Sequence, residues 1–258
     1  MDYLIICIAA FIGSLLTFFS GFGLGTLLVP VFGIFFPIEL AILMTAIVHF
    51  MNNLFKLVLT GRYTDKNILL RFGIPSVIAA LAGAWLFSEI SLMKPLYTYT
   101  ISENYFSVEP IKLVIAFLLL VFSILEMFPR LLKLNFQPKH MLPAGGFLSG
   151  FFGGLSGHQG ALRSAFLVKM NLNKETFIAT GVAIACLVDF SRLSVYFISL
   201  PGMQSGINYI LLAAAVLAAF AGAYIGNRFL KKITLKSIHM FVAVMLIVFA
   251  FFLGAGII

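Results

Sequence analysis

Apolar residues run along this chain with few interruptions, and the polar positions fall mostly between the runs. Long apolar stretches cover 40–60, 72–88, 111–129, 176–199, 209–228 and 237–257. A helix needs about 20 apolar residues to cross a ~30 Å hydrocarbon core, so each stretch predicts a spanning helix. Two further stretches, 3–36 and 141–172, are broken by Ser20-Gly21-Phe22-Gly23-Leu24-Gly25 and by Gly153-Gly154-Leu155-Ser156-Gly157-His158-Gln159-Gly160. Each break leaves a second piece of about 12 residues, short for a crossing at ~1.5 Å per residue. Unwound backbone at membrane depth persists only inside protein or beside a wet cavity. The pattern therefore predicts a helix hairpin or a broken helix at both places.

Composition agrees. Of 258 residues, 62% are hydrophobic and 10% charged, against about a quarter charged in soluble domains. That excludes an ordinary water-soluble globule, and it also excludes disorder. Cys7 and Cys186 both lie within apolar runs and mark no disulfide framework. Seventeen Lys and Arg against nine Asp and Glu give a net charge of +8. Nucleic-acid binding would need those cations clustered on a water-facing surface. Here they are strung between apolar runs, so no nucleic-acid partner is expected. The opening Met1-Asp2-Tyr3 lacks the basic region of a cleaved leader, which predicts that the first apolar run is retained.

The chain also repeats. An offset of 136 superposes Ser20-Gly21 on Ser156-Gly157, Glu39 on Glu175, Asn53 on Asp189, Lys56 on Arg192 and Leu57 on Leu193. Three more residues in the next loop align Ala79–Trp85 with Ala218–Tyr224. Small residues recur by chance in apolar helices, but polar and charged positions matched at a single offset do not. Two units are expected, 1–134 and 137–258.

Loop charge then orients them. Loop 61–71 carries Arg62, Lys66 and Arg71 against Asp65, while its counterpart 199–208 has no charge. Loop 88–110 carries Glu89, Glu103 and Glu109 against Lys94, while its counterpart 228–236 carries Arg228, Lys231, Lys232 and Lys236. Corresponding loops thus have opposite bias, and the basic ones belong in the cytoplasm. The linker, with Arg130, Lys133 and Lys139, fits there too. The expected fold is an all-α integral membrane protein of two inverted-topology repeats, each a glycine-broken helix hairpin plus three transmembrane helices. Both termini are expected outside, in the cell membrane.

The polar residues inside apolar segments are the candidates for chemistry. Half-helix N-termini after Gly23-Leu24-Gly25 and after Gly157–Gly160 would turn unpaired N–H groups toward a shared site and attract an anion. Tight helix packing is the plain alternative for the glycines, and Gly146, Gly150 and Gly154 form a ladder of that kind. It accounts less well for His158 and Gln159 at the break. Arg163 lies one turn beyond Gly160, with no acid before Glu175. A charge at that depth is costly and should face a cavity or an anion. His158 is either a site residue or a hydrogen-bonded structural histidine.

On 39–60, His49, Asn52, Asn53 and Lys56 fall at i, i+3, i+4 and i+7 and share one face. Lys56 lies close enough to the predicted cytoplasmic end to snorkel instead. The matching helix carries Asp189 and Arg192 at i, i+3, either an internal pair that locks the bundle or a gate that opens when an anion competes for Arg192. Lys56 and Asp189 are the candidates for gating or proton coupling. Glu39 and Glu175, preceded by Pro37 and Asn173, read as first-turn acids that complement a helix dipole. Glu126 and Arg130 read as a surface pair. No metal-ligand spacing, phosphate loop or nucleophile motif is present in the sequence. No cofactor is expected, and an enzyme using His158 and Asp189 is the weaker alternative.

With its duplicated units, each opening on a glycine-rich break followed by an acid-started helix, the chain resembles the sulfite exporter family (TauE/SafE). Residues 12–62 and 145–196 carry the likeness. The resemblance implies a transporter of sulfite, organosulfonates or similar small anions. The second break, with Gly-His-Gln-Gly and Arg163, is richer than the first and draws the site toward the second unit. The expected anion lies between the two hairpin tips, held by backbone N–H groups with His158, Gln159, Arg163 and Arg192, while His49, Asn52 and Asn53 line the opposite wall. An anion channel on the same scaffold shares this chemistry. The expected partners are a small anion and the lipid bilayer, and nothing in the sequence opposes a homo-oligomer.

Overall fold

The structure, a computed structural model, describes residues 2–20, 23–128, 138–229 and 236–258. Gly21, Phe22, the linker cations Arg130 and Lys133, and the loop cations Lys231 and Lys232 lie outside the described residues. The helices are α1 (Asp2–Ser20), α2 (Leu24–Gly33), α3 (Ile38–Thr60), α4 (Lys66–Ser91) and α5 (Pro110–Met127), followed by α6 (Pro138–Ser156), α7 (Gly160–Leu167), α8 (Lys174–Ser199), α9 (Tyr209–Phe229) and α10 (Lys236–Gly254). Between α4 and α5 lies a two-stranded hairpin, β1 (Tyr97–Ile101) and β2 (Asn104–Val108).

Four of these helices, α3, α4, α8 and α9, are long and apolar enough to cross a membrane. The apolar segments of α5 and α10 are shorter, Pro110–Leu125 and Val242–Gly254. Helix starts follow local chemistry. Asp65 caps α4 by accepting from Ile68 N (2.9 Å), Asn173 caps α8 by accepting from Thr176 N (2.8 Å), and Pro110 opens α5. Large apolar side chains stand exposed on the outer helix faces, among them Phe117, Phe190, Leu217 and Phe251. Such a surface suits lipid and not water.

Both glycine breaks make hairpins. A Cβ on Gly13 would lie 3.7 Å from Leu27 Cβ, so α2 folds back along α1. Gly145 faces the Phe166 ring, and Ser149 Oγ donates to Gln159 O (3.0 Å), so α7 folds back along α6. A single broken helix running on in one direction would have kept these residues far apart.

The hairpins exchange partners between the two parts of the chain. Helix α6 packs on α4 and α1 packs on α9. Gly146, Gly150 and Gly154 come against the backbone of Phe72, Ser76 and Ala80 in turn, so α4 and α6 run parallel. Gly222 and Gly226 come against Phe11 and Leu15 in the same sense, so α1 and α9 are parallel too. At each seam a side chain would strike a carbonyl, and Ser76 Oγ instead donates across to Gly146 O (3.0 Å). The Gly146–Gly154 ladder is therefore a packing seam of the small-residue kind.

Helices α3 and α8 cross the centre in opposite directions. Asp65, after the end of α3, donates from its N–H to Thr180 Oγ1 near the start of α8 (2.9 Å), His49 meets Asp189 midway, and Leu40 lies beside Gly206 past the end of α8. Helices α5 and α10 also pack together, with Ala116 near the start of one beside Gly254 at the end of the other.

The β-hairpin was not anticipated in loop 88–110. Tyr97-Thr98-Tyr99-Thr100-Ile101 has the β-branched and aromatic content of a strand. Ser102 and Glu103, with φ of 45° and 73°, make the two-residue turn that suits strand twist. Tyr99 OH donates to Ala255 O (2.6 Å), which docks the hairpin on the end of α10.

Candidate functional site

Asp189 lies at the centre of α8 with no exposure to solvent. Four side chains serve its carboxylate. His49 Nδ1–H donates to Oδ2 (2.6 Å), and Asn53 Nδ2 donates to the same oxygen (3.2 Å). Gln159 Nε2 donates to Oδ1 (3.1 Å), as does Arg192 Nε (3.1 Å), whose guanidinium also forms an ion pair there with Nη2 at 2.9 Å. An ionised carboxylate only accepts, so this contact calls for the His49 tautomer protonated at Nδ1. An unpaired carboxylate in this position would be prohibitively expensive; this one is satisfied from α3, from the α6–α7 tip and from its own helix.

Gln159 extends the network, because its Oε1 accepts from Arg163 Nη1 (3.1 Å). The amide gives one end to the acid and the other to the base. Arg163 lies across Gly181 of α8, where a Cβ would come 3.5 Å from its Nε.

The stripe on α3 divides in two. His49, Asn53 and Lys56 line a small central cavity, while Asn52 turns toward α1 and α9. The Asn52 amide is satisfied when its nitrogen donates to Ser14 Oγ (3.0 Å) and Ala219 O (3.2 Å) and its oxygen accepts from Lys56 Nζ (3.3 Å). Lys56 is buried and does not snorkel; its Nζ lies 5.5 Å from the centre of the Phe18 ring.

The two hairpin tips meet here. A Cβ on Gly23 would lie 3.6 Å from His49 Nε2, and one on Gly25 would lie 3.6 Å from Gly157 O. Gly157 has φ +81°, a backbone other residues rarely adopt, and a Cβ there would come 2.6 Å from Arg192 Nη1. Glycine at this position lets the guanidinium approach the chain at the break. Nη1 itself is buried without a hydrogen-bond partner. Next to Gly157, His158 accepts or donates through Nδ1 with Ser156 Oγ (3.1 Å) and stacks on Phe122 at 5.5 Å, 11° between planes. Its Nε2 is buried and unpartnered.

The central cavity is about 30 Å³, enough for a water or two and too small for an oxyanion. Arg163 and Ser164 of α7 join His49, Asn53 and Lys56 on its polar wall. Two larger cavities lie at opposite ends of the α3–α8 pair. One, of about 520 Å³, is bordered by Thr60, Arg62 and Lys174, and the other, of about 480 Å³, by Pro37, Glu39 and Ser199.

The sequence pattern pointed to His49, Asn53, Gln159, Arg163, Asp189 and Arg192, and the structure joins all six in one hydrogen-bonded network. Asn52 and His158 stand beside it. Gly23, Gly25 and Gly157 form the contact of the tips, while Gly160 begins α7. Two residues escaped notice. Ser14 anchors Asn52, and Tyr196, one turn beyond Arg192, donates from its hydroxyl to Gly154 O at the end of α6. The i+4 and i+7 spacing of Tyr196 from Arg192 and Asp189 was the available signal.

A family model described as Sulfite exporter TauE/SafE matches residues 5–253. No curated protein and no solved structure matches the chain.

Proposed function

The chain belongs to the sulfite exporter TauE/SafE family, and from that premise we propose that it exports small sulfur-containing oxyanions by alternating access. The observation that carries this reading is the charge at the buried centre. Arg192 pairs with the carboxylate of Asp189, Arg163 is linked to it through Gln159, and Lys56 lines the same small cavity as Arg163, where both hairpin tips meet. Excess basic side chains at membrane depth call for a counter-anion. A sulfite or sulfonate would take the Gln159 amide, the Arg163 guanidinium and the unpartnered Nη1 of Arg192, with His158 and the N–H groups around Gly160 beside it. To do so it would compete with Asp189 for Arg192, and that exchange is the gate. The His49–Asp189 pair is where a proton would enter the cycle, released or taken up as the acid changes partners.

Residues 1–134 and 137–258 are read as inverted repeats. Support comes from the antiparallel run of α3 against α8 and from the exchanged, parallel pairs α4–α6 and α1–α9. These are the relations a two-fold axis in the membrane plane would generate. With loop 61–71 in the cytoplasm, both termini lie outside the cell membrane. The small central cavity, with a larger cavity at each end, favours a carrier over a continuously open channel.

The decisive measurement is flux of sulfite and organosulfonates into proteoliposomes. Arg163→Ala should abolish it while the protein still elutes as a single folded species; undiminished flux would refute the assignment. Cysteines placed in loops 61–71 and 199–208 should label from opposite sides, and labelling from one side would refute the inverted topology.

A further inference from the structure

The central cavity and the larger cavity near Arg62 share two wall residues, Phe18 of α1 and Ile178 of α8. Both are buried, and both belong to one apolar cluster with Val182 and Cys186 of α8 and Ala223 of α9. Apolar side chains from two different helices thus stand between a polar chamber and a cavity bordered by Arg62, Lys174, Glu175 and Asn227. An ion moving between the two has to pass them, and a dehydrated ion between apolar side chains is heavily penalised.

We propose that Phe18 and Ile178 form the barrier on the loading side of the transporter, and that Lys56 is the latch that couples this barrier to the occupancy of the central site. The geometry of Lys56 supports the second part. Its Nζ faces the Phe18 ring and is tethered through the Asn52 oxygen to Ser14 and α9. The same ammonium lines the central cavity, so an arriving anion pulls it away from the ring. With the cation withdrawn, Phe18 loses one partner and α1 is free to shift against α8. The barrier then responds to the charge behind it. This proposal rests on the anion reading above, and the experiment separates the two.

A single cysteine is placed at Ser164, which lines the central cavity, in a protein carrying Cys7→Ser and Cys186→Ser. Its modification rate by an anionic sulfonatoethyl methanethiosulfonate is followed in proteoliposomes. Phe18→Ala and Ile178→Ala should each raise the rate by about tenfold or more, as removal of a barrier does for a site that otherwise opens only transiently. Phe18→Trp should lower it. Lys56→Gln should raise the rate less than Phe18→Ala and should remove its dependence on added methanesulfonate. Unchanged rates in both alanine variants, each eluting as a folded species, overturn the barrier. Faster labelling in those variants with no protection of the cysteine by methanesulfonate keeps the barrier and overturns the anion site.

Discussion

Among the described residues of the α1–α2 tip, those nearest Asp189's neighbourhood are Gly23 and Gly25, which bring backbone and clearance, and Leu24, which adds an apolar side chain to the cavity wall. At the α6–α7 tip the corresponding ground is held by Gly157, His158, Gln159 and, one turn on, Arg163, which bring hydrogen-bond donors and charge. The two tips fold back in the same way and touch each other, but one shapes the space and the other fills it with chemistry. Two hairpins of similar backbone course therefore need not carry similar polar groups. The first half contributes its polar groups from α3 instead, through His49, Asn53 and Lys56.

Substitutions along the network measure how deep this difference goes. The largest effect is expected at Asp189. Asp189→Ala leaves Arg192 and Arg163 without their carboxylate and should cost about 3–5 kcal/mol in chemical unfolding, along with all transport. Next comes Gly157→Ala, which places a side chain at φ +81° against Arg192 Nη1. A loss of about 1–3 kcal/mol is expected, read as a lowered melting temperature in detergent. Gln159→Leu removes the amide between acid and base and should cost about 1–3 kcal/mol, with flux reduced further than stability alone accounts for. The smallest effect is expected at the first tip. Gly23 has φ −78° and ψ 133°, ordinary for any residue, and its Cβ would meet only van der Waals contacts. Gly23→Ala should stay within about 0.5 kcal/mol. Equal sensitivity at Gly23 and Gly157 would erase the distinction between the tips.

Much of this was legible in the chain. Apolar runs of spanning length, two glycine breaks and a polar stripe at helical spacing are local features, and local features survive in a single sequence. The i, i+3 reading of Asp189 and Arg192 as an internal pair holds, but it captured only part of the carboxylate's surroundings. The shortest contact to Asp189 comes from His49, 140 residues away, and no spacing rule links positions that far apart. Asn52 shows the same limit: it shares a helical face with His49 and Asn53, yet it packs toward α1 and α9 because α3 has neighbours on more than one side. The β-hairpin was missed for a different reason. Its charges marked a loop, and its aromatic and threonine alternation was overlooked beside the hydropathy of the flanking helices.

One contact carries a consequence for how the two proposed repeats differ. On the proposed reading of two inverted repeats, Asn53 and Asp189, 136 residues apart, are equivalent positions, and Asn53 Nδ2 donates directly to Asp189 Oδ2 (3.2 Å). A position on a two-fold axis meets its own copy. In a dimer of identical halves two carboxylates would have to share a proton there, or two amides would pair and leave the guanidinium of Arg192 without an acid. Within one chain the two copies are free to differ, so that one is the amide donor and the other the carboxylate acceptor. On that reading, a single chain lets a self-facing position differ from itself, which a homodimer never can.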